Sequence, residues 1–288
     1  MQIQRTIAQL AHFAHWNYAL VSYDPANPAT FNGAIGTALT KHANYIVEAG
    51  TPVAPAILQQ VQHAGAKLAV TAVAPIAVKP PVIVNASAND STQGNLMADY
   101  FVSDSKGKGN AVIEHVPGYA ILDGFTNAFT ARAKALCPGC TTTMANISLP
   151  QLASGQLIPT VISALKQHPS ANYLVFDDGP FATGITSALA AAGLSKIKVI
   201  GEAVDPTGLA ALRTGKEAAW TGYSSPYATL QVADAMFRDA EGLPIAQAQE
   251  GVQPTQLLTK ANVGSITEWN YPSDALQQFK ALWKLSGQ

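Results

Sequence analysis

The chain carries two cysteines, in the order Cys137-Pro138-Gly139-Cys140. A Cys-x-x-Cys pair can be a redox couple, half of a metal site or a small structural disulfide. A redox couple places its attacking thiol at a helix N-terminus, where the dipole lowers its pKa. Here Phe125, Phe129 and Leu136 follow a helical period that ends at Cys137, and Pro138-Gly139 breaks it. Thr141-Thr142-Thr143 then reads as a strand. A cysteine at a helix C-terminus disfavours a thiolate. The sequence has no second cysteine pair, and His115 is too far along the chain for a zinc pattern. The expectation is a structural disulfide, with free thiols as the alternative. A disulfide implies an oxidising compartment outside the cytoplasm.

Few other polar residues stand where chemistry is done. Glu48 ends one apolar run. His115 precedes Val116-Pro117-Gly118-Tyr119. Asp177-Asp178-Gly179 follows Tyr173-Leu174-Val175-Phe176, and Glu202 follows Ile200-Gly201. Tyr223-Ser224-Ser225-Pro226-Tyr227 closes a later run. Taken singly, each reads as a solvated loop residue. The aspartate pair before Phe181 also suits a helix N-cap, and capping is compatible with ligand binding. Paired acids can serve as a general acid and base, but nothing marks a partner nucleophile or a metal set. His12 and His15 share one side of the first helix without a third ligand, so they read as surface or packing residues. Gly-x-Gly-x-x-Gly after a strand is absent, since Gly107-Lys108-Gly109 follows a helix. The phosphate-binding Gly-x-x-x-x-Gly-Lys-Ser/Thr and the Gly-x-Ser-x-Gly elbow are absent too.

These residues are spaced by alternating elements. Helices are expected over 2–16, 28–42, 55–63, 93–103, 121–136, 157–167, 181–192, 209–214, 229–240 and 273–285, from apolar residues at helical spacing. Short apolar strands are expected at 18–23, 44–48, 66–73, 82–84, 111–116, 173–176, 197–200, 218–223 and 256–258. Strands separated by helices mean βαβ units, parallel sheets and right-handed crossovers. In such sheets ligands collect at the carboxyl ends of the strands. Lys79-Pro80-Pro81 and Ala88-Asn89-Asp90 punctuate a crossing from one lobe to another.

Composition agrees with buried parallel sheets. Of 288 residues, 48% are apolar and only 12% charged, with a formal net charge of −1. A basic excess for nucleic acid is lacking. The charge-poor, apolar balance disfavours disorder. The longest apolar-leaning uncharged stretch, Leu68–Val78, is far shorter than the roughly 20 residues a membrane helix needs. Met1-Gln2-Ile3-Gln4-Arg5 leads straight into a helical pattern, without a secretory signal.

Several phrases, in this order, resemble a known family. They are Asn44-Tyr-Ile-Val-Glu-Ala-Gly50 with the helix to Ala64-Gly65; Gln93-Gly-Asn-Leu-Met-Ala-Asp-Tyr100; Asp123-Gly124-Phe125; Tyr173 to Gly184; Val199-Ile-Gly201; and Pro254 to Lys260 with Phe279 and Trp283. The chain resembles sugar-type ABC-transporter solute-binding proteins of the ribose-binding class, which have the type I periplasmic-binding-protein fold. The resemblance implies an α/β chain of two doubly wound parallel-sheet lobes. A three-segment hinge would join them, with a ligand cleft between. The expected lobes are residues 1–89 plus 225–251, and 90–224 plus 252–288. The implied function is capture of a small molecule and delivery to a membrane permease, without catalysis or a cofactor. A ligand-sensing module, whether regulator fragment or receptor ectodomain, is the alternative on the same fold. The resemblance also implies an exported, periplasmic or cell-surface monomer that neither spans a membrane nor binds nucleic acid.

Departures from the family pattern bear on the ligand. The family opens with a strand, whereas this chain starts inside the following helix, so Met1 is expected not to be the native start. Ile121 stands where the family places an arginine three residues before Gly-Phe. Val73 and Ala203 stand near two family aspartates, and Ser224 near the hinge glutamine. Groups that fork onto vicinal hydroxyls are therefore few, and a site that reads hydroxyls needs them. The expected ligand is less polyhydroxylated than a hexose. The expected binding residues are Glu48, Thr51, His115, Tyr119, Ile121, Asp177, Asp178, Glu202, Tyr223 and Ser224. Tyr119, Tyr223 and Tyr227 would be flat walls; Glu48, Asp178 and Glu202 would be acceptors.

Overall fold

Apolar runs too short for core helices become strands, and the periodic segments between them become helices. The computed structural model describes residues 2–24, 27–72, 76–87, 89–245, 254–270 and 272–284. The chain divides into two compact units. The first is Met1–Ala88, Ser224–Gln253 and Asn270–Gln288; the second is Asn89–Tyr223 and Pro254–Trp269. One division between the units falls at Ala88 and Asn89, within the Ala88-Asn89-Asp90 punctuation. The tail differs from expectation: Asn270 onward groups with the first unit rather than the second. Its aromatic residues give the reason. In the first unit, helix α10 (Ser225–Ala240) carries Tyr227 and Phe237, and the last helix α11 (Ala275–Leu282) brings Phe279 to within 6.0 Å of Tyr227. Trp283, just past α11, sits 4.9 Å from Phe237 and donates its indole N–H to Asp234 Oδ1 at 2.8 Å. Val73 and the expected boundary at 251–252 lie outside the described residues.

The first unit holds a three-stranded parallel sheet of β1 (Tyr45–Ala49), β2 (Lys67–Thr71) and β3 (Val82–Asn85), in that order. Helices α1 (Gln2–Phe13), α2 (Pro28–Thr40) and α3 (Pro55–His63) precede or connect the strands. Asn27 caps α2, its side chain accepting the Ala29 N–H at 3.1 Å. Phe31, Ile35, Ile57 and Val61 from α2 and α3 bury against Leu68, Val70 and Val82 of the sheet. The expected strand at Tyr18–Tyr23 does not form: the segment lies outside the sheet, with Tyr18 and Leu20 exposed. A strand needs a neighbour's backbone ladder, and among the described residues β1 pairs with β2 alone. Side chains hold the end of this segment instead, as described below.

The second unit holds a six-stranded sheet in the order β5-β4-β6-β7-β8-β9. Its strands are β4 (Asn110–His115), β5 (Thr141–Asn146), β6 (Tyr173–Phe176), β7 (Lys198–Gly201), β8 (Ala219–Gly222) and β9 (Gln256–Thr259). All neighbours are parallel except β8 and β9, which are antiparallel. A chain re-entering at Pro254 can lie against β8 without a crossover helix. Helices α4 (Asp90–Asp104) and α5 (Ala120–Leu136) cover one face, burying Met97, Phe101, Phe125 and Phe129 on Ile113, Tyr173 and Val175. The other face receives α7 (Leu157–Gln167), α8 (Ile185–Ala191) and α9 (Pro206–Thr214), over Val112, Leu174 and Val199. A short helix, α6 (Leu149–Ala153), follows β5. Alternate strand residues therefore point into two apolar layers. Gly94 lets α4 and α5 approach closely, because a Cβ there would stand 2.4 Å from the Phe125 carbonyl oxygen.

Cys137 and Cys140 form a disulfide across the turn from α5 into β5, with an S–S distance of 2.08 Å. The expected helix over 181–192 is split into a 3-10 turn at Gly179–Ala182 and α8, with Gly184 at φ +86° between them. Among the described residues, no helix is long and apolar enough to cross a membrane.

Candidate functional site

Parallel packing aligns the carboxyl ends of the strands, and the polar candidates stand there. In the first unit the penultimate residue of β1, Glu48, is buried. Tyr23 donates its hydroxyl hydrogen to Glu48 Oε1 at 2.8 Å, and the Thr51 backbone N–H reaches the same oxygen at 3.0 Å. Tyr23 and Thr51 hydroxyl oxygens are 2.5 Å apart. Burial pushes the Glu48 carboxyl up, and these hydrogen bonds oppose it. Burial pushes the Tyr23 phenol to about 12. The result is a carboxylate fixed by two donors at a strand end.

In the second unit, three adjacent strands contribute one row. Ile113 pairs with Val175, and Phe176 with Gly201. Continuing that register sets His115, the last residue of β4, beside Asp177 and Glu202, which stand just beyond β6 and β7. His115 Nδ1 lies 2.8 Å from Asp177 Oδ2, which also accepts the Val116 N–H at 3.1 Å. His115 Nε2 lies 3.0 Å from Asp123 Oδ1, in the first turn of α5. The ring thus sits between two carboxylates. Its hydrogen bond to Asp177 raises its pKa against the opposing effect of burial, and the Asp177 and Asp123 charges add to the rise. When protonated, the ring donates to Asp177 Oδ2 and Asp123 Oδ1 together.

More acid lies around that row. Glu114 is fully buried on β4, and burial together with Asp177 and Asp178 pushes its carboxyl up. Burial raises Asp178 to about 7, helped by the charges of Asp177 and Asp205. Glu202 lies well above the usual range, from burial first and then from Asp90, Asp178 and Asp177. Asp90, at the start of α4, is pushed by burial to about 7. Glu202 Oε2 and Asp177 Oδ1 are buried without a well-directed hydrogen bond. Asp178 occupies the N-cap position of the 3-10 turn but makes no side-chain capping bond. Gly179 and Ala203 bring the two acid-bearing loops together, since a Cβ on Gly179 would stand 2.3 Å from the Ala203 carbonyl oxygen.

The other expected residues stand apart from these groups. Tyr119 and Ile121, at the start of α5, are partly buried against the apolar layer beneath α7, α8 and α9. Ser224 caps α10, its Oγ accepting the Tyr227 N–H at 3.3 Å. Tyr223 follows β8, and Tyr227 packs on Phe279 in the first unit. Sequence reasoning missed Tyr23, Asp90, Glu114 and Asp123 as site groups. Glu114 was the most legible of these, being a carboxylate inside the apolar run Ala111–Val116. A hollow of about 440 Å³ lined by Met144, Gln156, Thr160 and Gln167, among others, carries no ionisable side chain. Among the described residues, no three His, Cys, Asp or Glu side chains are grouped to hold a metal ion.

Comparison with known proteins places this geometry in a family. A periplasmic binding protein domain model matches residues 1–242. The chain belongs to the periplasmic binding protein family. A search of curated proteins found no match. Among solved structures, an ABC transporter periplasmic solute binding protein from Actinobacillus succinogenes, with bound D-allose, is similar at a TM-score of 0.77. Identity to it is 17%, covering 92% of this chain and 94% of that one. The 5-methylthioribose transporter solute binding protein of Thermotoga lettingae gives 0.74 at 20% identity, covering 99% and 89%. A LacI-type transcriptional regulator from Bacteroides fragilis gives 0.74 at 15% identity, covering 92% and 93%. At these identities the similarity speaks for the fold: this periplasmic binding protein is α/β with mainly parallel sheets.

Proposed function

We propose that this periplasmic binding protein is an extracytoplasmic solute-binding protein. It captures a small molecule on the polar groups at the carboxyl ends of its strands and delivers it to an ABC-transporter permease, without chemistry of its own. The observation that carries the reading is the coincidence of family and placement. In a chain of this family, the buried polar groups Glu48, His115, Asp177 and Glu202 gather at strand ends, where open α/β sheets take ligands. The solute-binding structures from Actinobacillus succinogenes and Thermotoga lettingae support a transport role.

The ligand is less polyhydroxylated than a hexose. Ile121 and Ala203 are apolar where sugar-binding relatives fork onto vicinal hydroxyls, and both lack a polar side chain to pair with an hydroxyl. Thr51, Asp178 and Tyr223 complete the candidate contacts, and the protein works as an exported monomer. A thermal-shift screen of small molecules tests this. Saturable stabilisation by a compound with few hydroxyls is expected, and larger shifts from simple pentoses and hexoses would contradict it. The regulator from Bacteroides fragilis, similar at 0.74, favours a second reading as a ligand-sensing module. The Cys137–Cys140 disulfide weighs toward the exported reading, since cytoplasmic proteins rarely keep one.

A further inference from the structure

The acid cluster of the second unit has too little positive charge to hold it. Asp177 and Glu202 follow neighbouring strands, Glu114 lies on β4, and Asp178 and Asp90 border them. Among the described residues, the only basic side chain within ion-pair distance of these acids or of Asp123 is His115. The other ion pairs of this unit, Arg132 with Asp99 and Lys198 with Asp104, involve none of these acids. Glu202 Oε2 and Asp177 Oδ1 are buried without a well-directed donor, while Glu114 interacts with Asp177 through its side chain and backbone. Each of these residues is at least nine-tenths buried: Glu114 and Asp177 are 0% exposed and Glu202 3%. A buried carboxylate without a partner is costly, so such a group either keeps a proton or receives a donor from outside.

We infer that the strand-end cluster Asp177, Asp178 and Glu202 is built for a cationic group, and that the captured solute carries a protonated amine. This deepens the solute-binding reading and rests on it. An ammonium supplies three N–H donors and a positive charge, which is what the orphaned oxygens lack. Neutral sugar hydroxyls bring donors but no positive charge. The groups facing Glu202 and Asp178 are Asp90 from α4, Asp177 after β6, Asp205 just before α9 and Glu114 from β4, with His115 of β4 held on Asp177. All but His115 are acids. In the empty state burial favours the protonated forms of Asp90, Asp178 and Glu202. An entering ammonium displaces those protons to solvent. Binding therefore releases protons, and affinity rises with pH by about tenfold per unit for each proton released.

Calorimetry on the full chain with three amines and their neutral counterparts tests this: putrescine against 1,4-butanediol, ethanolamine against ethylene glycol, and glucosamine against glucose. At least one amine is expected to bind at least about tenfold more tightly than its neutral partner. Its affinity should rise between pH 5.5 and 7.5, with proton release into the buffer. Glu202→Gln should remove most of that preference. Asp178→Asn, at a half-buried position, gives the same readout if Glu202→Gln does not fold. Asp99→Asn, outside the cluster, should leave the preference in place. Binding of a neutral compound as tight as its amine, or a pH-independent amine affinity, would overturn the inference while leaving the solute-binding reading intact. Silence from all six compounds would overturn the inference and count against that reading as well.

Discussion

At the scale of single residues, the energetic peculiarity is the carboxylate row rather than any lone reactive group. His115 is held by both ring nitrogens, and the acids beyond it are pushed up by burial and by one another. The sign of the resulting pH dependence follows. An acid raised from its ordinary range to about 7, as for Asp90 and Asp178, gives stability that is full at pH 4 and lost as pH climbs through 7. The raised His115 acts in the same direction, losing its stabilisation as pH passes its folded value. Asp104 and Asp239, lowered by lysine and tyrosine partners that outweigh burial, act only below about pH 4. The unliganded protein is therefore expected to melt at progressively lower temperature from pH 5 to 8. Glu202→Gln should flatten that fall, and a melting temperature that climbs over this range would contradict the assignment. Ala203 adds a second residue-scale prediction. Its φ of +55° is left-handed, a region that costs a side chain about 1 kcal/mol. Ala203→Gly should stabilise by up to about 1 kcal/mol, less the chain entropy glycine adds to the unfolded state. Ala203→Val should destabilise, and denaturant midpoints read both.

At the scale of elements, the sequence was most legible where one face or period decided the outcome. Buried parallel strands read as short apolar runs, as at Tyr173–Phe176 and Lys198–Gly201, and Pro138-Gly139 ended α5 where expected. The Cys137–Cys140 bridge followed from the same reading, because a helix C-terminus suits a staple better than a thiolate. Opening it should cost about 2 kcal/mol by loop entropy, since the closed loop is short. Cys137→Ser with Cys140→Ser, compared by urea unfolding with the intact protein, measures this; an unchanged midpoint would show the bridge contributes nothing. Tyr18–Tyr23 failed as a strand because a pattern of apolar residues carries no information about its ladder partner. The site was only half legible for a related reason. Glu48, His115, Asp177 and Glu202 showed as polar residues ending strands. Asp90, Asp123 and Glu114 became visible only once β4, β6 and β7 were neighbours and the starts of α4 and α5 lay above them. Ile121 was read as a ligand position from family spacing and Tyr119 as a flat wall; both are partly buried beside the apolar layer under α7, α8 and α9.

At the scale of the whole molecule, composition takes on meaning from the two units. A chain with 12% charged residues has few acids to spare. Several of them are buried together at one set of strand ends, which is an expensive arrangement for a scaffold and a useful one for a binding site. The account's central claim is that these strand-end groups are where this periplasmic binding protein holds its solute. Backbone amide NMR during titration of the strongest compound from the thermal-shift screen tests it most directly. The account predicts saturable shifts centred on strand-end amides such as Thr51, Val116, Asp178 and Glu202, with α7 and the hollow beside Gln156 unmoved. Shifts confined to that hollow or to the outer helices, with the strand ends unchanged, would contradict it.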